Sequence, residues 1–211
     1  MKTAFVFSLL MLCAAGAYAI SVQHLATDAE LSALVSDTIF VAEGRIGDRG
    51  GAATFELDLG QSTSAPAVTR QYDWLNGVVE PFSLVYDNVS GNVTFSLGGQ
   101  SLVYHTPFIQ FGDIFVRTRA VYAGTSVVVS DLALDGQNVG ASSSATGPGL
   151  DILWISGGQL SDGFTLTGNA VFSWTGTPPG QSNLAFQIKV AKLAVIGVED
   201  GTWGVIKALF R

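Results

Sequence analysis

Asp162-Gly163-Phe164-Thr165-Leu166-Thr167-Gly168-Asn169-Ala170-Val171-Phe172-Ser173-Trp174-Thr175 alternates almost strictly, with Phe164, Leu166, Ala170, Phe172 and Trp174 on one phase and Thr165, Thr167, Asn169, Ser173 and Thr175 on the other. Successive side chains of a strand leave opposite sides of the pleat, so this period of two predicts a strand with one face in a core and one in water. Working outward, the same pattern recurs at Ile39 to Ile46, Thr54 to Leu59, Val68 to Leu75, Pro81 to Asp87, Asn92 to Leu97, Ser101 to His105, Asp113 to Tyr122, Ser126 to Leu134, Asp151 to Ile155 and Leu184 to Ala191. Turn residues separate many of these runs, among them Asn76-Gly77, Ser90-Gly91, Gly98-Gly99 and Asp135-Gly136. Many strands at spacings of about 8–12 residues predict an all-β antiparallel sandwich, jelly-roll-like. The Ser- and Gly-rich stretch from Gly140 to Gly149 reads as a mobile connection.

The ends carry different signals. Met1 to Ala19 reads as a signal peptide: Lys2, an apolar run from Ala4 to Cys13, and the small-x-small site Ala17-Tyr18-Ala19. Residues 20–37 read as an N-terminal helical segment. There Thr27-Asp28-Ala29-Glu30 forms a capping box, and Leu31, Leu34 and Val35 share a face. Residues 38–192 make the sandwich and 193–211 a tail. In the tail, Thr202 is placed to cap a short C-terminal helix with Trp203, Ile206 and Phe210 on one face and Lys207 and Arg211 near its end.

Composition narrows the function. A net charge of −7 without any basic run argues against nucleic acid, whose phosphates need clustered cations. No segment has the ~18 apolar residues of a membrane span. Cys13 is the only cysteine and belongs to the leader; Leu12 before it is too large for a lipidation site. The mature chain is therefore expected without disulfides, in an exported location.

Few residues suggest chemistry. His24 and His105 are isolated from one another, and His105 reads as a surface residue. Glu56 and Asp58, two apart on one strand, share a face with the acids in water and are expected to pair with Arg117 and Arg119, another i,i+2 pair. Trp74, Trp154 and Trp174 read as core residues rather than sugar platforms. Calcium is the one cofactor left open, with Asp48, Asp131, Asp135, Asp151 and Asp162 as its candidate oxygen donors, although none has the spacing of a calcium loop.

Several phrases together resemble the choice-of-anchor W domain of bacterial secreted proteins: 40–48 (FVAEGRIGD), 55–60 (FELDLG), 113–120 (DIFVRTRA), 129–136 (VSDLALDG), 160–168 (LSDGFTLTG) and 173–177 (SWTGT). The resemblance implies a secreted or surface-displayed β-domain, and it carries over no catalytic residues. The chain departs from the common arrangement after Lys192, where no Val-Pro-Glu-Pro linker, membrane span or basic cluster follows. Its Thr-Trp-x-x-x-Lys-x-x-Phe-Arg ending is similar to short sorting tails of other exported bacterial proteins, and it equally fits a helix that covers a sandwich edge. The expectation is a secreted, non-catalytic surface or extracellular-matrix module. Its partners would be a cell-surface or matrix component, a glycan among them, and sorting machinery that reads Thr202, Trp203, Lys207, Phe210 and Arg211. The alternatives are a carbohydrate-binding domain, a filament subunit and a glycan-active hydrolase.

Overall fold

The alternating stretch folds as the strand Phe164–Trp174, with Phe164, Leu166, Ala170 and Phe172 buried and Thr167 exposed. A computed structural model describes residues 19–47, 56–108 and 110–193. In chain order the elements are β1 (Ser21–Leu25), α1 (Asp28–Leu34), β2 (Val35–Ile46), β3 (Glu56–Gly60), β4 (Val68–Gln71), β5 (Val79–Asp87), β6 (Asn92–Leu97) and β7 (Gln100–His105). They continue as β8 (Asp113–Ala120), β9 (Thr125–Leu134), β10 (Gln137–Asn138), β11 (Ser143–Thr146), β12 (Gly149–Ser156), β13 (Phe164–Trp174) and β14 (Leu184–Leu193). All pairings are antiparallel. The first sheet runs β1-β12-β8-β14-β2-β3-β4, and the second runs β10-β9-β13-β5-β6-β7, with β11 also on β9. The two sheets enclose one core containing Phe40, Leu57, Val116 and Phe186 from the first and Phe82, Phe95, Val129 and Phe172 from the second.

Two local devices hold the second sheet in phase. Along β9, Ala133 pairs with Thr167 and Ser130 with Asn169, so Asp131 and Leu132 together face Gly168. This is a β-bulge: one extra residue lets Val127 and Val129 before it, and Leu132 and Leu134 after it, all enter the core. Asp131 takes the left-handed conformation there at φ 53°, which a short polar side chain tolerates. Gly168 is required opposite, because a Cβ would lie 2.8 Å from both Leu132 and Phe82. At the β9–β10 turn, Asp135 and Gly136 both have positive φ, as a tight hairpin of this kind demands.

The capping box has its full geometry. Glu30 N donates to Thr27 Oγ1 at 3.2 Å, and Thr27 N donates to Glu30 Oε2 at 3.0 Å. Leu31 of α1 then packs with Leu25, Phe115, Ile152 and Ala191 on the outer side of the first sheet. Thr27→Ala is expected to remove about 1 kcal/mol of stability, read as a lower denaturation midpoint with an unchanged slope. An unchanged midpoint would mean that α1 is held by packing alone.

Three segments depart from the sequence reading. Of the segment 20–37 placed above as helical, only Asp28–Leu34 is helix: Ser21–Leu25 is an edge strand along β12, and residues 35–37 open β2. The run 68–75 stops as a strand at Gln71; Trp74 turns inward against Phe172 at 4.3 Å between ring centroids. Asn76 then caps the end of β13, donating to Trp174 O at 2.8 Å and accepting from Trp174 N at 2.9 Å. The 140–149 stretch is not a loose connection, since Ser143–Thr146 forms β11. Ser143 is fully buried there, its hydroxyl 2.9 Å from that of Thr118. Serine and threonine satisfy each other in the interior, so low complexity did not mean solvation.

Candidate functional site

The outward faces of the two sheets are chemically opposite. On the first sheet, register sets two rows side by side: Arg119–Ala185–Arg45–Glu56, and Arg117–Gln187–Glu43–Asp58. Arg45 is the hub. Its Nη1 donates to Glu43 Oε2 at 3.0 Å, its Nε donates to Glu56 Oε2 at 2.8 Å, and its Nη2 reaches both Glu56 and Asp58. Gln187 Nε2 donates to the other oxygen of Glu43 at 2.7 Å. Glu43, Arg45, Glu56 and Asp58 are between 1% and 6% exposed, so these are buried ion pairs rather than solvated ones.

The expected pairing of Glu56 and Asp58 with Arg117 and Arg119 is therefore wrong. All four lie on one face of one sheet, but β14 and β2 stand between β3 and β8. Arg117 instead makes a two-pronged bond to Asp28 of α1, at 2.6 and 2.7 Å, and Arg119 is exposed. Glu43, Arg45 and Gln187 were missed. The signal was available in Glu43 and Arg45, which have the same i,i+2 spacing as Glu56 and Asp58.

Burial sets the ionisation of this face. Desolvation raises the Glu43 carboxyl above its ordinary value, against the Gln187 bond and the Arg45 charge. For Arg45, burial pushes the guanidinium down, but the charges of Glu43 and Asp58 and the Glu56 bond outweigh it and raise it. The Arg117 hydrogen bond holds Asp28 below its ordinary value. Lys189, in the next row, is lowered by burial and by Arg117.

A carboxyl with a raised folded pKa binds its proton more tightly in the native state, so Glu43 lowers stability as pH rises above its unfolded value of about 4.5. Glu43→Gln keeps the side-chain shape and removes that cost. The variant should be at least as stable as the parent at pH 7, with the difference closing toward pH 4, measured by urea denaturation at both. A clear loss at pH 7 would mean that the Arg45 attraction dominates.

The second sheet faces outward without lysine or arginine: none of β5, β6, β7, β9, β10, β11 or β13 contains either. Register draws one row across the whole sheet, Asn138–Ala133–Thr167–Ser83–Ser96–Ser101. A parallel row reads Thr165–Val85–Thr94–Val103. Two shallow grooves lie at the ends of the first row. One, of about 590 Å³, has Ser130, Asp131, Asn138 and Ser142 on its walls. The other, of about 490 Å³, is bounded by Pro81, Ser83, Ser96, Gly98, Gly99 and Ser101.

The candidate calcium donors are not gathered. Asp131 sits in the β9 bulge, where it accepts from Asn169 Nδ2 at 2.9 Å and from Ser130 Oγ at 3.1 Å. Asp135 accepts from Thr165 N at 2.7 Å. Asp151, on β12 of the other sheet, meets His24 Nδ1 at 2.8 Å and accepts from Ser144 N at 3.0 Å. Asp162 belongs to the 3-10 turn Leu160–Asp162. Among the described residues no three His, Cys, Asp or Glu side chains converge as a metal cluster. Asp48 and the tail residues Thr202, Trp203, Lys207, Phe210 and Arg211 lie outside the described residues.

The three tryptophans among the described residues pack inward or against a neighbour. Trp74 is buried, Trp174 packs on the main core, and Trp154 stacks on Phe115 at 5.9 Å while donating to Asp113 at 2.6 Å. His105 is exposed, at the end of the row Asp87–Asn92–His105. No helix among the described residues is long and apolar enough to cross a membrane. No family model matches the chain, and no curated protein matches it.

Proposed function

We propose that this chain is a secreted, non-catalytic β-sandwich module of a bacterial cell surface or extracellular matrix, with its tail mediating retention or docking. The jelly-roll-like arrangement, the leader at 1–19 and the short tail helix belong to the same reading, as does the resemblance to choice-of-anchor W domains. The observation that carries it is the division of labour between the two outer faces. The acids of the first sheet that come together are held in a buried lattice around Arg45, whereas a general acid and base need an open groove between two carboxyls. The second sheet offers a broad, open surface of hydroxyl and amide groups, which suits adhesion more than turnover.

Retention is tested by ending the chain after Leu193 and following both forms in fractionated cultures of the native cells. The full chain should remain with the surface or matrix fraction and the shortened one should pass into the medium. A full chain free in the medium, or a shortened one still retained, would remove the tail from the account.

A further inference from the structure

The second sheet's outer face carries a more specific statement, which rests on the reading of this chain as a binding module. We propose that the row Asn138–Ala133–Thr167–Ser83–Ser96–Ser101, with the grooves at its two ends, is a docking track for an uncharged polysaccharide chain.

Charge decides the class of ligand. An anionic polymer, whether phosphate, sulfate or uronate, needs cations, and the strands of this sheet hold no lysine or arginine. The described lysines and arginines all lie on the first sheet, at Arg45, Arg70, Arg117, Arg119, Lys189 and Lys192. The acid at one end of the track, Asp131, adds repulsion for anions. A protein partner would be expected to meet an apolar centre with aromatic or arginine anchors. Here the centre of the row is Thr167, Ser83 and Ser96, flanked by the methyl groups of Val85 and Thr94.

Geometry suits an extended chain of sugar rings. Six strands in register span about 24 Å at the usual inter-strand spacing, the length of a short oligosaccharide. Each strand contributes a small side chain, so the track is level and open. Its hydroxyls and amides both donate and accept, as sugar hydroxyls do, and its methyl and alanine carbons can lie against the C–H faces of the rings. Asn169, one row along from Thr167, already donates to Asp131, which fixes that carboxylate at the groove wall with its other oxygen available as an acceptor.

The test is native gel electrophoresis of the purified protein through gels containing a soluble β-glucan, a mannan, a dextran, or the anionic polymer alginate. Retardation by at least one neutral polymer and none by alginate is expected. Thr167→Arg, and separately Ser101→Arg, should weaken retardation by about tenfold or more by placing a bulky charge on the track. Both sites are exposed, so the thermal midpoint should not move. No retardation by any neutral polymer, retardation by alginate instead, or retardation indifferent to both variants would overturn the proposal. Concentration-dependent dimers that Thr167→Arg dissolves would also overturn it, by making a second copy the occupant. A protein retained on cells that ignores all the polymers would sink the track and leave the surface-module reading standing.

Discussion

Replacing Arg45 by alanine is expected to lower the unfolding free energy by about 3–5 kcal/mol at neutral pH, because it takes a buried cation away from beside three buried carboxylates. Glu43, Glu56 and Asp58 all converge on that one guanidinium, and none is more than 3% exposed. Glu43 is already raised by burial and would rise further once the positive charge is gone. The native variant then takes up protons more readily than its unfolded chain. Its deficit against the parent should therefore narrow as pH falls from 7 toward the ordinary carboxylate range. Urea denaturation at pH 7 and near pH 4.5 measures both effects. A loss below about 1 kcal/mol at pH 7 would mean that water reaches these acids and the cluster is not a buried lattice.

Phe186→Ala should cost a similar amount, about 3–5 kcal/mol, for a different reason. Its ring is fully buried, with centroids of Phe82, Phe172, Trp74 and Phe95 at 5.9, 6.0, 6.1 and 6.5 Å. It is the contact through which β14 of the first sheet meets the aromatic side chains of the second. Directly across the strand pair lies Gly44, where a Cβ would come within 2.5 Å of the Phe186 ring and 2.9 Å of Trp74. Gly44→Ala should therefore destabilise the parent by about 1–3 kcal/mol through overpacking, and cost much less when Phe186 has already been replaced. A double-mutant cycle by denaturant titration reads this coupling. Additive losses would mean that Gly44 is needed for its backbone and not for the space it leaves.

The ease of reading differed sharply between the two kinds of information. β13 was plain in the sequence because one face is in the core and the other in solvent, and alternation is the direct record of that difference. β11 was not, because its buried positions are Ser143 and Ala145, which look like a linker until Thr118 and the backbone of Asp151 supply the partners for that hydroxyl. The second sheet's bulge was hidden as well: Asp131 lies inside the run Ser126 to Leu134 that reads as one strand, and only pairing to β13 reveals the extra position.

The buried ion cluster shows the same limit from the functional side. Spacing two apart places Glu56 and Asp58 on one face, and Arg117 and Arg119 on another strand's face, but it is silent on which strands are neighbours. That information lies in the order β8-β14-β2-β3, which joins parts of the chain far apart in sequence. Charge by itself is also a poor guide to burial: acids on the outward face of a sheet read as solvated, yet Glu56 and Asp58 are 3% and 1% exposed. The second sheet's lack of lysine and arginine was, by contrast, written in the sequence: neither occurs between Arg70 and Arg117, or between Arg119 and Lys189. What the sequence lacked was the strand order that collects those two intervals into one surface.

The central claim, that this is an exported module held at a surface, is tested most directly by the intact mass of the protein recovered from its native cells and the fraction that yields it. The account predicts a chain that begins at Ile20, found with the cell surface or matrix, and carrying a cut or an added mass in the segment after Leu193. A chain still bearing Met1 to Ala19 and recovered from inside the cell would contradict it.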